Sequence, residues 1–413
     1  MSDAQEVTLT DSESAMDKPV DGWCKATLEQ FVRIKHGYAF SGEFITSEET
    51  PHVLVTPGNF HIGGGFKASK FKYYSGEVPE AYRLKPGDIV VTMTDLSKDG
   101  DTLGYAAKIP ASHDKSFLHN QRIGLVEFNG EQVNKNFLHW VLRTPEYQSY
   151  VLGAATGTSV RHTAPTTIQR YEFLLPVSLD EQGAVSAVLC HLDDKIDLLR
   201  RQNQTLEAMA ETLFRQWFLE DPSPAWDQCA LSGIATFLNG LACQKYPPAN
   251  DVDKLPVLKI RELRRGINEA SDWASSQVKP EFIVEAGDVI FAWSASLMVK
   301  VWDGERCVLN QHLFKVTSDE FPKWFYLRWC KHHLNEFIAI STSQATTMGH
   351  IKRGDLDAAV VLVPKPEELQ AMTEQMAPLL DKQIEIARQR RTLEALRNTL
   401  LPKLMSGEVR VAF

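Results

Sequence analysis

The sequence predicts a mixed α/β protein in which two similar globular domains are separated by a pair of long antiparallel coiled-coil helices, with a pseudo-two-fold internal repeat. Three observations predict it. From Leu179 to Leu219, apolar residues recur at Val185, Leu189, Leu192, Ile196, Leu199, Leu206, Ala210, Leu213 and Trp217. With Asn203 filling the one polar place, the steps alternate four and three, the stripe that a helix buries against a partner helix. From Pro366 to Leu404 a second stripe carries Met376, Leu380, Ile384 and Ala387. Past the basic run Arg388, Arg390 and Arg391 it continues with Leu393, Leu396 and Leu400. Finally, Thr205-Leu206-Glu207-Ala208 reappears as Thr392-Leu393-Glu394-Ala395, and Leu192-Asp193 as Leu380-Asp381. Two alike helices at one interval mark a duplicated unit.

The divisions follow. Residues 1–22 form an acidic tail, expected to be disordered, with Lys18 the sole basic residue against Asp3, Glu6, Asp11, Glu13, Asp17 and Asp21. Residues 23–177 form the first domain, 178–220 the first long helix, 221–364 the second domain, and 365–413 the second long helix with its tail. At 1.5 Å per residue each helix spans about 60 Å. A stripe that long needs a partner, and the two helices supply each other. The seam residues are Leu189, Leu192, Ile196, Leu199, Asn203 and Leu206 on the first helix. On the second they are Leu380, Ile384, Leu393 and Leu400. A polar Asn203 in this line lowers stability and fixes register.

Within the first domain, Gly37-Tyr38-Ala39 reads as a turn, Val53-Leu54-Val55 as a strand, and Pro57-Gly58-Asn59 as a turn. Lys85-Pro86-Gly87-Asp88 turns into the strand Ile89-Val90-Val91, and Phe137 to Tyr150 reads as one helix. A Gly/Thr-rich loop over Gly153 to Thr158 precedes the closing strand Phe173-Leu174-Leu175, which ends at Pro176. The second domain repeats this syntax. Gly240-Leu241-Ala242 stands for Gly37-Tyr38-Ala39, and Leu255-Pro256-Val257-Leu258 for His52-Val53-Leu54-Val55. Ala286-Gly287-Asp288 stands for Pro86-Gly87-Asp88, and Asn310-Gln311 for Asn120-Gln121. A helix from Lys323 to Phe337 and a loop from Ser341 to Gly349 lead to the closing strand Val361-Leu362-Val363-Pro364.

Length, at 413 residues, calls for two or three domains. No apolar run is long enough to cross a bilayer and no charged-then-apolar signal opens the chain, so a cytoplasmic protein is expected. The six cysteines form no CxxC pair, as expected of reduced, buried thiols. Catalytic motifs are missing. Gly63-Gly64-Gly65 lacks the spacing and the Lys-Ser/Thr of a phosphate loop, and His332-His333 are adjacent rather than on one helical face. No GxSxG elbow, methyltransferase-type cofactor loop or Asn-Pro-Pro-aromatic motif is present. Asp95, Asp99 and Asp101 read as a solvated loop before they read as a cation site. The expectation is a non-enzyme with no cofactor and no metal of its own.

Binding signals are stronger. Lys67, Lys70 and Lys72 punctuate Phe66, Phe71, Tyr73 and Tyr74, and Arg261, Arg264 and Arg265 occupy the corresponding region of the second repeat. Lys98 and Arg161 are further candidates, and His162 adjoins the latter. Basic side chains neutralise phosphates, and Arg with Asn or Gln reads base edges. The run Arg388–Arg391 faces either DNA or an acidic partner. A net charge of −9 argues against a free-standing nucleic-acid binder, so these local clusters carry the reading. The alternative is a non-enzymatic protein-binding scaffold with two globular domains on a coiled-coil spacer.

In the order of its motifs the chain resembles the specificity (S) subunits of type I restriction–modification systems. The resemblance, from about Trp23 to Val411, rests on the duplicated Gly-Asp-aliphatic turns, the Asn-Gln that follows each, and the aliphatic-Pro end before each long helix. It rests also on the terminal Leu404-Met405-Ser406-Gly407-Glu408-Val409-Arg410-Val411. The closing-strand signature departs from the family's usual Pro-Pro-Leu then Glu-Gln, with Asp180-Glu181-Gln182 and Glu368-Leu369-Gln370 in its place. The resemblance implies two target-recognition domains, each reading half of a bipartite double-stranded DNA site, and a helix pair that sets the unread spacer. It implies partners too: two modification subunits using S-adenosylmethionine to methylate adenine N6, and restriction subunits that use ATP and Mg. These partners would supply the cofactors and much of the basic DNA channel.

Overall fold

The computed structural model describes residues 21–97, 100–130, 132–157, 160–343 and 349–412. The expected acidic tail lies, except for Asp21 and Gly22, outside the described residues. By its internal contacts the chain divides into two compact units, Met1–Asp194 with Ala395–Phe413, and Lys195–Glu394. The first long helix runs Leu179–Arg215 and ends in a π-helical turn, Gln216–Glu220, while the second runs Pro366–Met405. Each helix therefore contributes a segment to both units. No helix among the described residues is long and apolar enough to cross a membrane.

The first unit is built on two four-stranded sheets. One is antiparallel, in the order Val32–His36, Ile123–Phe128, Ile89–Thr92, Ala106–Lys108. The other is mixed, in the order Ile45–Thr46, Lys72–Tyr74, His52–Val55, Ser116–His119, and its last two strands run parallel. Val53, Val55, Phe117, Val90 and Ile123 bury one core between them. A larger core joins Ile89, Val91 and Val126 to Phe137, Leu138 and Trp140, and to Val185, Leu189, Leu401 and Leu404 of the long helices. Burying each of these side chains contributes roughly 1.5–3 kcal/mol, so the helices are part of the domain's core. The ends of the domain meet: Trp23–Thr27 pairs antiparallel with Glu172–Pro176 and hands the chain to the first long helix.

The second unit repeats the plan. Its antiparallel sheet has the order Thr236–Asn239, Leu313–Thr317, Val289–Ala292, Met298–Val301. Its mixed sheet has the order Trp273–Ser275, Lys254–Leu258, Cys307–Leu309, Ile283–Val284, and here the parallel pair is in the middle rather than at the end. Asp227–Ala230 pairs with Val360–Val363 to close the domain. Its main core gathers Phe237, Phe291, Phe314, Trp324, Phe325 and Trp329 with Ala210, Phe214, Met376 and Leu380 of the helices.

The motifs matched in sequence do the same work twice. The Gly-Asp turns close alike: the carboxylate of Asp88 accepts the Lys85 N–H at 2.7 Å, and that of Asp288 accepts the Glu285 N–H at 2.9 Å. Gly37 presses on the Asn120 carbonyl, which a Cβ would meet at 2.1 Å. Gly240 presses on that of Asn310, at 2.3 Å. Around each contact the Gln121 and Gln311 N–H groups donate to the Tyr38 and Leu241 carbonyls, at 2.9 and 2.8 Å. The Glu at the head of each long helix accepts an indole N–H, Trp23 to Glu181 at 3.2 Å and Trp226 to Glu368 at 2.8 Å. Gln182 spans from the Pro176 carbonyl to the Asn134 N–H, both at 2.8 Å.

Two expected helices are broken. Phe137 to Tyr150 is two helices, Lys135–Val141 and Pro145–Gly153, because Thr144 caps the second ahead of Pro145. The expected Lys323–Phe337 helix is likewise Lys323–His332 and Leu334–Ser343.

Along the first helix Leu189, Ile196 and Leu199 are buried, with Leu192, Asn203 and Leu206 half-buried. Along the second, Leu380 is buried and Ile384, Leu393 and Leu400 are half-buried, but Leu396 leaves the stripe at 44% exposure. Gln383 and Arg397 are buried in this helix instead. In the second unit Gln383 donates to Glu207 at 2.9 Å and Arg200 to Glu394 at 2.7 Å, so the segments run antiparallel there. In the first unit Arg397 donates to Asp193 at 2.5 Å. Asp193 also takes Arg143, itself 1% exposed at the side chain, at 2.6 Å. Glu207 takes Arg328 at 2.8 Å and Lys331 at 2.7 Å. Burial raises the Asp193 carboxyl, and Arg143 and Arg397 outweigh it, holding the group far below the usual carboxylate range.

Two outcomes follow for stability. The Asn203 Oδ1 is buried without a hydrogen-bond partner among the described residues. Asn203→Leu therefore stabilises the chain, by about 1 kcal/mol in urea unfolding. Burial raises the Glu207 carboxyl, but Lys331 and Arg328 outweigh it and hold it at about 2 against an ordinary 4.5. Its stabilising effect is therefore complete above pH 4.5 and is lost as pH falls toward 2. Glu207→Gln costs about 1–2 kcal/mol at pH 7, the carboxylate being partly solvated, and its unfolding curve converges on the unsubstituted protein's over that acid window.

Candidate nucleic-acid interface

Asn59 is buried at the end of the turn Pro57–Asn59, its Oδ1 accepting the Thr56 N–H at 3.0 Å and its Nδ2 donating to the Lys67 and Ser69 carbonyls. This anchor shapes the connection that carries Lys67 and Lys70, while Lys72 lies on the strand Lys72–Tyr74. All three lysines are exposed. The aromatic residues between them turn the other way. Phe66 and Phe71 lie 5.3 and 6.2 Å from Phe117, and Tyr74 is buried. They are core, not a platform for stacked bases.

The arginines of the second unit sit in the equivalent connection, on the short helix Ile260–Arg265. Arg261 is spent internally: its Nε donates to Glu262 at 2.8 Å and its other arm to the Ala270 carbonyl at 2.6 Å. Glu262 is fully buried and also accepts from Ser271. Arg264 and Arg265 are exposed in the last turn, before Gly266 ends the helix at φ +85°.

Arg161 lies half-buried on Arg161–His162, which pairs with Thr94–Asp95. Lys98, and with it Asp99, lies outside the described residues, as does Thr158 of the predicted Gly/Thr loop and most of the loop from Ser341 to Gly349. Burial raises the Asp95 carboxyl, but the Ser97 and Thr102 N–H groups, each 2.6 Å away, reverse the shift and hold it below its ordinary value. Asp95 thus pins its loop. Among the described residues no cluster of His, Cys, Asp and Glu fits a metal ion. The glycine run has a mechanical role: the Gly63 and Gly64 carbonyls accept from Arg143 at 2.9 and 3.3 Å.

The basic run on the second long helix also turns inward on its own unit. Arg388 donates to the Ala286 carbonyl at 2.8 Å, Arg390 reaches Asp303 at 3.0 Å, and Arg391 reaches Glu305 at 3.1 Å. Neither DNA nor an acidic partner is needed to explain these three. The anchors Arg143, Asp193, Arg328 and Glu181 escaped the sequence reading. Each is one charged residue whose partner lies far along the chain, and only the adjoining apolar pattern could have suggested burial.

The fold defines a protein with two copies of one mixed α/β domain, each packed on segments of the same two helices. A family model described as the type I restriction modification DNA specificity domain matches residues 225–395. The specificity subunit of type I restriction enzyme MjaIX from Methanocaldococcus jannaschii is 23% identical over 304 residues, covering 68% of this chain and 70% of that protein. The specificity subunit of EcoBI from Escherichia coli is 28% identical over 194 residues, 47% of this chain and 35% of that protein. The crystal structure of a type I restriction–modification S subunit from M. genitalium superposes with a TM-score of 0.57 at 14% identity, covering 96% of this chain and 98% of the other. Residues 225–395 thus match the type I specificity-domain family, and the chain is similar in sequence and in fold to type I specificity subunits.

The two arginine environments predict opposite results. Arg261→Ala strands the buried Glu262 carboxylate and lowers stability by about 1–3 kcal/mol. Arg264→Ala changes it by less than about 0.5 kcal/mol. Parallel urea melts distinguish them.

Proposed function

We propose that this chain selects the DNA sequence acted on by a type I restriction–modification complex. Each domain reads one half of a bipartite double-stranded site, and the helix pair sets the unread spacer and docks two modification subunits. The observation that carries this reading is the duplication of one fold motif by motif, from the Gly-Asn contact to the carboxylate on each indole. Two readers of one design suit a site with two separated halves. Lys67, Lys70, Lys72, Arg161, Arg264 and Arg265, with Lys98, are the residues we assign to DNA. Catalysis lies elsewhere: modification subunits would bind S-adenosylmethionine, and restriction subunits ATP and Mg. The six cysteines are all free thiols, in keeping with a cytoplasmic setting.

Selection from a randomised DNA pool, first with the chain alone and then with its modification subunit, tests the proposal. Two short fixed blocks across a constant gap are expected. No motif in either condition overturns the reading, and a flat salt dependence of whatever binding remains would point to protein ligands. Within this experiment Arg264→Ala and Arg265→Ala weaken binding through one half-site only. A uniform loss across all sequences would place them on phosphate.

A further inference from the structure

The antiparallel sheet of each unit ends in a polar edge that the basic clusters do not include. In the first unit the strand Val32–His36 finishes beside the start of Ile123–Phe128, with His36 opposite Gly124. In the second, Asn239 stands opposite Phe314 at the same place. The Asn-Gln corner lies at this edge in both. The side chains of Asn120 and Asn310 accept the N–H two residues on, which belongs to Arg122 in one copy and His312 in the other, at 3.2 and 3.4 Å.

Beyond the next strand the correspondence holds to the residue. Thr94 pairs with His162, and the Thr163 N–H donates to the Met93 carbonyl at 3.0 Å. Ser294 bridges to His350, and the Ile351 N–H donates to the Trp293 carbonyl at 3.1 Å. The hydroxyls are buried and aim at imidazoles, Thr94 at His162 and Ser294 at His312, each 3.2 Å from Nδ1. The Trp293 indole donates to Asn239 at 3.2 Å, so the second edge is held by its own side chains. His36, Arg122 and His162, and their counterparts Asn239, His312 and His350, are exposed.

Resting on the reading above, we infer that this edge is the base-reading surface of each domain, with Gln121, Arg122, His36 and His162 facing one half-site. Gln311, His312, Asn239 and His350 face the other. Three features carry the inference. The scaffold at the edge is the same in both copies, whereas Lys67 and Lys70 sit on a loop and Arg264 on a helix. The side chains displayed are the amide, guanidinium and imidazole types that hydrogen-bond base edges. The display differs between the copies, as two unlike half-sites require: Gln and the last His are common to both, while His312 stands where Arg122 does and Asn239 where His36 does.

The test is the same pool selection, run on the full chain with its modification subunit, for the Arg122→Ala and His312→Ala variants. Urea melts establish that the fold is intact, unchanged for Arg122→Ala and only slightly lowered for His312→Ala, which releases the Ser294 hydroxyl. The expected result is loss of preference at one or two base pairs, by about 5- to 100-fold, in one half-site for Arg122→Ala and in the other for His312→Ala. The double exchange His36→Asn with Arg122→His is expected to install a new preference in the first half-site alone. If both half-sites keep their sequences in all three variants, the edge is not the reader, although the proposed function stands. If the unsubstituted chain selects no bipartite site, the proposed function fails and this inference with it.

Discussion

Buried arginines fix how each domain holds its helices. Arg143 and Arg328 have side chains 1% and 2% exposed, and a guanidinium keeps its charge at any pH a folded protein meets. Left without a carboxylate, each would cost several kcal/mol. Asp193 and Glu207 answer them from one helix, and Arg397 and Gln383 answer the same two carboxylates from the other. Apolar burial drives these segments together but tolerates sliding. A charge that has one acceptable neighbour does not, and so the charged contacts set the register within each unit.

The same contacts explain where sequence reasoning succeeded and where it stopped. Periodicity identified the first helix almost residue for residue, since Leu189, Ile196 and Leu199 are ordinary apolar seam residues. It misplaced part of the second stripe because a four-three rule assumes an apolar line. The structure instead buries Gln383 and Arg397 and exposes Leu396. The turn and corner motifs were legible because Gly, Asp and Asn have special backbone uses. Gly37 and Gly240 are the only residue type that fits against their Asn carbonyls. The break at Thr144 was written in the sequence, in Thr-Pro, but a run of apolar residues on both sides concealed it.

For the candidate interface, residue type proved a poor guide to which basic side chains are already engaged within their own unit. Arg261 and Arg264 are three apart on one short helix, and one is tied to a buried carboxylate while the other faces solvent. Arg388, Arg390 and Arg391 form the most basic run in the chain, and all three bond within their own unit. Once these residues are subtracted from the apparent basic surface of a chain with net charge −9, what remains for DNA is a small set of local contacts. Affinity from so few phosphate contacts is modest, and the proposed modification subunits would have to supply the rest.

Separation of scaffold from display is the deeper property of the duplicated domain. At the polar edge, a Cβ on Gly37 or Gly240 would overlap a carbonyl, and Asn120 and Asn310 each hold a backbone N–H. These positions tolerate little. Two residues on, Arg122 and His312 are both exposed, and His312 keeps a side-chain tie to the buried Ser294 hydroxyl. Exchanging a side chain such as Arg122 leaves the packing below it untouched, because surface substitutions away from buried partners move stability by less than about 0.5 kcal/mol. A domain built in this way can change what it reads without relearning how to fold, and a chain holding two copies can read two different words with one grammar.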